Sequence, residues 1–180
     1  MSNSNRFGAG SRRITGAAAL LALACGFAPA SAADQPSRPE DRQRFVSVTA
    51  ALEKTPLDAA LADDREWALA WVAEAPDVTV TLCGDALGGI LESKYPYRSQ
   101  ILFQDMFGMA AFVIGHPESA NDLNAQQLAG IQGALAAYRS ILRDKPQPRS
   151  RELDKLLETE AAGKLPDFAR TAWTRCSRKK

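Results

Sequence analysis

One carboxyl group stands inside the most apolar part of this 180-residue chain. Asp105 and its neighbour Gln104 interrupt an apolar run over residues 99–115. A carboxyl group buried in such surroundings must be paired or protonated, because burial disfavours its charged form and raises its pKa. Asp105 is therefore the leading candidate for acid–base chemistry. The alternative is a structural role, with Asp105 on a helix side that faces solvent or paired with Arg65 or Arg98.

Two further residues could assist Asp105 in a small hydrolase or lyase that acts on cell-envelope material. They are Glu66 and the only histidine of the chain, His116. Glycosidic chemistry needs two carboxyl groups at a defined separation, which a sequence does not reveal. His116 precedes Pro117 at a predicted helix C-terminus, where a cation meets the negative end of the helix dipole. The sequence thus favours a capping role for His116 over a catalytic one.

Motifs for metal or cofactor binding are missing from the sequence. The cysteines and the one histidine are too few and too widely spaced for a zinc site, and there is no Cys-x-x-Cys. Gly84, Gly88 and Gly89 have neither the spacing nor the lysine of a phosphate-binding loop. We therefore predict no metal ion and no cofactor.

Two sets of residues are candidates for non-covalent binding. Tyr95, Tyr97 and Arg98 surround a proline in a predicted turn, and tyrosine and arginine are enriched at interfaces. The second set would line an apolar pocket for a small ligand, because Met and Phe clusters form adaptable pockets. Its members are Trp71, Phe103, Met106, Phe107 and Met109. Packing explains both sets more simply, with the tyrosines over a helix end and the second set in the core.

The first 32 residues have the order of a secretory signal peptide. Basic residues precede an apolar run over 14–27, and no acidic residue comes before Asp34. The small residues at 30–32 predict cleavage after Ala32. The apolar run is too short and too rich in alanine and glycine to span a bilayer. We therefore expect a periplasmic or secreted protein with no transmembrane segment in its mature chain.

Two other export signals are partly matched. Ser11-Arg12-Arg13 resembles the twin-arginine signal, but that motif usually has a large apolar residue where this chain has Thr15. Cys25 resembles a lipoprotein site, whose pattern has leucine where this chain has Ala22. These departures favour the general secretory route over the twin-arginine route and argue against a lipid anchor.

Charges are unevenly placed along the predicted mature chain. Residues 33–138 hold 7 basic and 15 acidic residues, a net charge of −8, whereas residues 139–180 hold 12 and 6, a net charge of +6. The nearly neutral total gives no general attraction to nucleic acid or membrane. The two parts can attract each other, or the basic C-terminal part can bind an acidic protein or envelope partner. An immunity-type inhibitor of a secreted effector would fall in this class.

Cleavage after Ala32 leaves two cysteines, Cys83 and Cys176. An even number of cysteines in an oxidising compartment favours pairing. We predict a disulfide that ties the C-terminal helix to the middle of the chain, and two separate buried thiols are the alternative.

Helices are the predicted elements that position these residues. Apolar residues recur at spacings of three and four in segments that begin near residues 39, 63, 82, 99, 121, 150 and 166, and glycines loosen the segment from residue 82. The one strand-like stretch, residues 78–81, has no partner, so we predict an extended connector or the start of a helix. The predicted core contains Phe45, Leu52, Trp71, Ile90, Phe103, Met106, Phe107, Ala110, Leu128, Ile131, Leu135, Tyr138, Leu157, Phe168 and Trp173.

The predicted fold is a single-domain, irregular all-α bundle of six or seven helices, with a central apolar helix over about 99–115. We expect a flexible leader over 33–38, one helical domain over 39–177 and a basic tail over 178–180. The predicted function is a non-catalytic binding or interaction module. An envelope-acting hydrolase or lyase that uses Asp105 and a carrier of a small apolar ligand are the alternatives.

Overall fold

Six α-helices form the part of the chain that the structure describes. The computed structural model describes residues 36–178. The helices are α1 (Pro39–Lys54), α2 (Ala62–Glu74), α3 (Arg98–Gly115), α4 (Leu123–Asp144), α5 (Arg151–Ala161) and α6 (Leu165–Ser177). Residues 36–178 contain no strand, so the predicted all-α fold is confirmed. The predicted signal peptide, the first residues of the leader and the last two residues of the basic tail lie outside the described residues.

Irregular segments join the helices. Single turns of 3-10 helix occur at Ala59–Leu61, Gly84–Leu87, Ile90–Glu92 and Pro117–Ser119. The predicted helical segment from residue 82 is therefore wrong, because Gly88 and Gly89 take positive φ angles and divide it into two short turns. The strand-like stretch 78–81 belongs to an extended connector that runs to Cys83. Two glutamines of α4 hold this connector, because the amide groups of Gln126 and Gln127 donate to the carbonyl oxygens of Thr79 and Thr81 at 3.4 and 2.6 Å. Side-chain donors on α4 thus replace the strand partner that the sequence lacks.

Capping residues fix where several helices begin. Asp122 caps α4 and Ser150 caps α5, where the Ser150 hydroxyl accepts a hydrogen bond from the backbone N–H of Leu153 at 3.3 Å. Ser37 does not cap α1, although its spacing to the helix suggests that role. Its hydroxyl donates instead to the Asp77 carboxylate at 2.7 Å, which ties the end of the predicted leader to the segment after α2.

Helix α3 packs against α1, α2 and α4. Towards α1 and α2, Phe107, Ala110 and Val113 join a hydrophobic cluster with Phe45, Leu52, Ala68 and Val72. Towards α4, Ile101 joins a second cluster with Ile131, Leu135 and Tyr138. Every apolar side chain of α3 from Ile101 to Ile114 is buried or half-buried. The helix therefore links the two apolar clusters of the domain.

Three glycines allow α3 and α4 to touch through their backbones. A Cβ atom on Gly108 would lie 2.7 Å from the carbonyl oxygen of Ala129, and one on Gly133 would lie 2.9 Å from the carbonyl oxygen of Gln104. On Gly130 it would lie 2.7 Å from Oδ1 of Asp105 and 2.8 Å from its carbonyl oxygen. A side chain at these positions would therefore force the two helices apart.

Substitution of Gly130 by alanine is expected to lower the free energy of unfolding by about 1–3 kcal/mol, because the new methyl group meets backbone that cannot move away cheaply. Gly115→Ala is the matched control on α3, since a Cβ there meets nothing within 4 Å. The control should unfold like the wild type or later, because alanine favours helix over glycine. Urea denaturation measures both, and equal midpoints for Gly130→Ala and wild type would show that the helices are not in contact there.

A disulfide joins Cys83 to Cys176, with the two Cα atoms 5.8 Å apart, as the sequence predicts. It fastens α6 to the end of the connector. Beside it, Nε of Arg175 lies 3.3 Å from the Asp85 carboxylate.

Within residues 36–178, we find no helix with both the length and the apolar character needed to cross a membrane.

Candidate functional site

An apolar pocket opens beside the disulfide, between the connector, the two turns that follow it and α3. Its volume is about 150 Å³. Two leucines at its mouth are exposed, Leu82 by 60 % and Leu91 by 43 %. The lining residues are Leu82, Cys83, Gly84, Leu87, Leu91, Leu102 and Asp105, and we call this cavity the Asp105 pocket. Asp105 is the single ionisable side chain among them.

Asp105 is buried, with 3 % of its surface exposed. Its carboxyl group makes no hydrogen bond or ion pair with the described residues, and Oδ1 is completely enclosed. Arg65 and Arg98, the partners considered from the sequence, are engaged elsewhere, Arg65 with the carbonyl oxygen of Pro56 at 3.0 Å. The predictions of a solvated helix side or an ion pair are therefore wrong. Burial raises the pKa of Asp105 to about 7.

Local sequence explains how α3 presents this group. Asp105 lies one helical turn after Ile101 and one before Met109, on the side of α3 that faces α4. The absence of a side chain at Gly130 leaves room for Oδ1 against the α4 backbone. Gln104, the other polar residue, points to α1 instead and donates to the carbonyl oxygen of Thr49 at 3.0 Å. The two polar neighbours thus differ, because Gln104 is satisfied and Asp105 is not.

Glycines and an arginine shape the mouth of the pocket. Gly88 and Gly89 have φ angles of 63° and 95°, which let the chain reverse between the two 3-10 turns. Nη1 of Arg98 donates to the carbonyl oxygens of Leu91 and Ser93 at 3.2 and 2.9 Å. Arg98, a candidate binding residue from the sequence, therefore fixes the turn that carries Leu91.

The other candidate binding residues, Tyr95 and Tyr97, pack in and beside the core. Tyr95 is buried, and its ring meets those of Tyr97 and Tyr138 edge to face at 5.6 and 5.8 Å. Neither tyrosine lines the Asp105 pocket. Direct binding by this turn stays a prediction, and the contacts account for the tyrosines as packing over the start of α3.

The three candidate catalytic residues do not converge. His116 is exposed at the end of α3, where Nδ1 lies 3.1 Å from the carbonyl oxygen of Phe112. His116 follows Asp105 by 11 positions, which is about 16 Å along the helix axis. Glu66 is exposed on α2 and does not line the pocket. These residues therefore do not form the pair of carboxyl groups that glycosidic chemistry requires.

The residues expected to line a carrier pocket lie in the core instead. Phe107 and Met109 are fully buried, and the ring of Phe107 contacts that of Phe45 edge to face at 5.4 Å. Trp71, Phe103 and Met106 pack against the same cluster. None of these side chains lines the Asp105 pocket, and a carrier pocket lined by them stays a prediction. Among residues 36–178, no three His, Cys, Asp or Glu side chains come together as possible metal ligands.

The sequence does not identify the leucines that line the Asp105 pocket as part of a site. Five of the pocket's seven lining residues lie in the connector and the two 3-10 turns, where three glycines interrupt the spacing of the apolar residues. Two signals were present, namely the aspartate inside an apolar helix and the cluster of three glycines at 84–89. Together they mark an acid beside an irregular, apolar backbone segment.

Stability should fall with rising pH because of Asp105. The folded pKa of about 7 lies above the value of about 3.9 in an unfolded chain, so the folded state binds more protons between these values. The stabilisation is complete below about pH 4, declines by up to about 1.4 kcal/mol per pH unit and is lost by about pH 7. The difference in unfolding free energy between wild type and Asp105→Asn, measured from pH 4 to 7.5, isolates this effect. A constant difference would contradict the buried state of Asp105.

Comparison of the chain with models of known protein families, with curated proteins and with solved structures gives no match. The function proposed below therefore rests on the geometry of the Asp105 pocket.

Proposed function

We propose that this protein is an exported, non-catalytic binding protein whose site is the Asp105 pocket. Its ligand is a small, mainly apolar molecule about the size of one ring. The proposal rests on Asp105, an acid that has no partner among the described residues and lies at the wall of an apolar cavity that opens to the surface. An apolar cavity of about 150 Å³ holds one benzene-sized molecule, and this pocket has that volume.

Two energetic costs coincide at this site. A buried polar group without a hydrogen bond costs about 1–3 kcal/mol, and nearly all such groups in proteins have partners. An unfilled apolar cavity is also destabilising, because the lining atoms lose packing contacts. A leucine in place of Asp105 would remove the first cost and fill part of the space. Costs that a simple substitution would relieve are typical of functional sites.

Export is part of the proposal. The residues that predict a signal peptide lie outside the described part of the chain, so their support comes from the sequence. The Cys83–Cys176 bond supports it independently, because disulfides persist in the periplasm and outside the cell and are rare in the cytosol. The disulfide also forms part of the pocket wall through Cys83. An oxidising compartment would thus keep the pocket intact.

Toluene is a suitable first probe, because it matches the cavity in size and carries no polar group. We expect saturable chemical-shift changes in two-dimensional NMR spectra, concentrated at residues 82–91 and 102–105. Leu102→Trp should abolish them by filling the pocket. Leu157→Trp is the matched control, since Leu157 is also half-buried against the same core cluster but does not line the pocket. Changes that persist in Leu102→Trp, or no saturable binding, would overturn the proposal.

A protein or envelope partner is a second candidate, favoured by the exposed leucines at the pocket mouth. A partner that covers this mouth should be captured from a cell-envelope fraction by the wild type and lost with Leu82→Lys. Val46→Lys is the control, because Val46 is a 38 % exposed apolar residue on α1 that does not line the pocket. Identical capture by both variants would reject this candidate.

A further inference from the structure

Asp105 is the one side chain in the wall of the Asp105 pocket that can make a strong polar interaction with a ligand. The rest of the wall carries leucine side chains, a glycine and the disulfide, and none of these has a side-chain hydrogen-bond donor. Asp105 receives no hydrogen bond from the described residues. Donors for an ionised Asp105 can therefore come from a bound molecule or from water that enters the pocket, and a bound molecule must be apolar elsewhere to suit the leucines.

Among residues 36–178, no charged side chain is paired with the Asp105 carboxylate. Burial alone raises its pKa, without a contribution from another charged group. On the elements around it, Glu53 lies on α1, Asp85 is paired with Arg175 of α6, and Glu92 ends the second turn. None of these four side chains lines the pocket, and the side of α4 against Asp105 presents Gly130. The negative charge is therefore available to a ligand cation.

An ammonium group satisfies this arrangement better than a neutral group does. It brings several N–H donors and a full positive charge, and charge-assisted hydrogen bonds are roughly twice as strong as neutral ones. Exclusion of water by the leucines strengthens the attraction further. A neutral hydroxyl or carbonyl group could exchange one hydrogen bond with the protonated acid, which is the weaker interaction.

We propose that the ligand of the Asp105 pocket is an apolar amine, with one ammonium group bound to the Asp105 carboxylate and a body of about one ring against Leu82, Leu87 and Leu91. This inference rests on the proposed function and names its ligand class. Binding favours the ionised carboxyl, so uptake of the amine releases a proton from those molecules in which Asp105 was protonated.

Three probes of similar size separate the possibilities, namely benzylamine, benzyl alcohol and toluene. At pH 8 we expect benzylamine to bind wild-type protein at least about tenfold more tightly than the other two, the ratio expected for a charge-assisted hydrogen bond. The preference should shrink towards pH 5, where Asp105 is protonated, and disappear in Asp105→Asn. Toluene binding by Asp105→Asn shows that the variant retains its pocket, and the pH series on wild-type protein does not depend on any variant.

The outcomes distinguish this inference from the proposed function. Equal affinity for the three probes, or a benzylamine preference that survives in Asp105→Asn, overturns the amine and leaves an apolar pocket. Binding of none of the probes overturns both proposals.

Discussion

Replacement of both Cys83 and Cys176 by serine is expected to lower the free energy of unfolding by about 4–5 kcal/mol. The bond closes a loop across a sequence separation of 93, and its loss gives the unfolded chain the corresponding conformational freedom. This loss is nearly as large as the whole free energy of unfolding of the least stable natural domains, which is about 5 kcal/mol. Denaturant unfolding of the oxidised wild type and the double variant measures it directly.

The ion pair beside the disulfide supplies the control. Arg175 is half-exposed, so Arg175→Ala should cost less than about 1 kcal/mol even though it joins the same two segments. A double-serine variant as stable as the wild type would show that packing alone holds α6 in place. In that case the disulfide would not be needed to stabilise the wall of the Asp105 pocket.

Substitution of Phe107 by alanine is expected to cost about 3–5 kcal/mol, because it leaves a cavity where a fully buried ring stood. The ring contacts Phe45 edge to face and lies parallel to Phe103, with centroids 5.4 and 6.4 Å away. Phe107 belongs to the cluster that joins α3 to α1 and α2. Its loss should therefore weaken the attachment of the helix that carries Asp105.

Phe112→Ala on the same helix is the comparison for Phe107. Phe112 is half-buried and stacks on His116 at 4.6 Å, so its removal should cost clearly less. Thermal or denaturant unfolding of the two variants ranks them. Similar small losses for both would mean that Phe107 is not enclosed by α1 and α2.

Helices were predictable because their signals are local. The spacing of Leu128, Ile131 and Leu135 predicts α4, and Asp122 and Ser150 lie at the caps where their side chains can serve the first backbone N–H groups. The disulfide was predictable from the count of cysteines and the expected compartment.

About half of the predicted core is fully buried, including Phe45, Ile90, Ile131 and Tyr138, whereas Trp71, Phe168 and Trp173 are half-buried. Large aromatic rings often keep an edge in solvent.

The site was harder to predict because it depends on contacts between distant segments. Asp105 stood out as a polar residue in an apolar helix, but its isolation depends on Gly130 in α4 and on where Arg65 and Arg98 find other acceptors. The pocket wall comes from a connector whose path is set by Gln126 and Gln127 rather than by its own pattern. Such tertiary hydrogen bonds leave no period in a sequence.

The most direct measurement is a titration of the Asp105 carboxyl carbon by NMR in the free protein. Because this carboxyl group is buried at the wall of an apolar pocket without a partner among residues 36–178, we expect a midpoint near pH 7. A midpoint near the ordinary value of about 3.9 would show instead that water or a protein group satisfies the carboxylate.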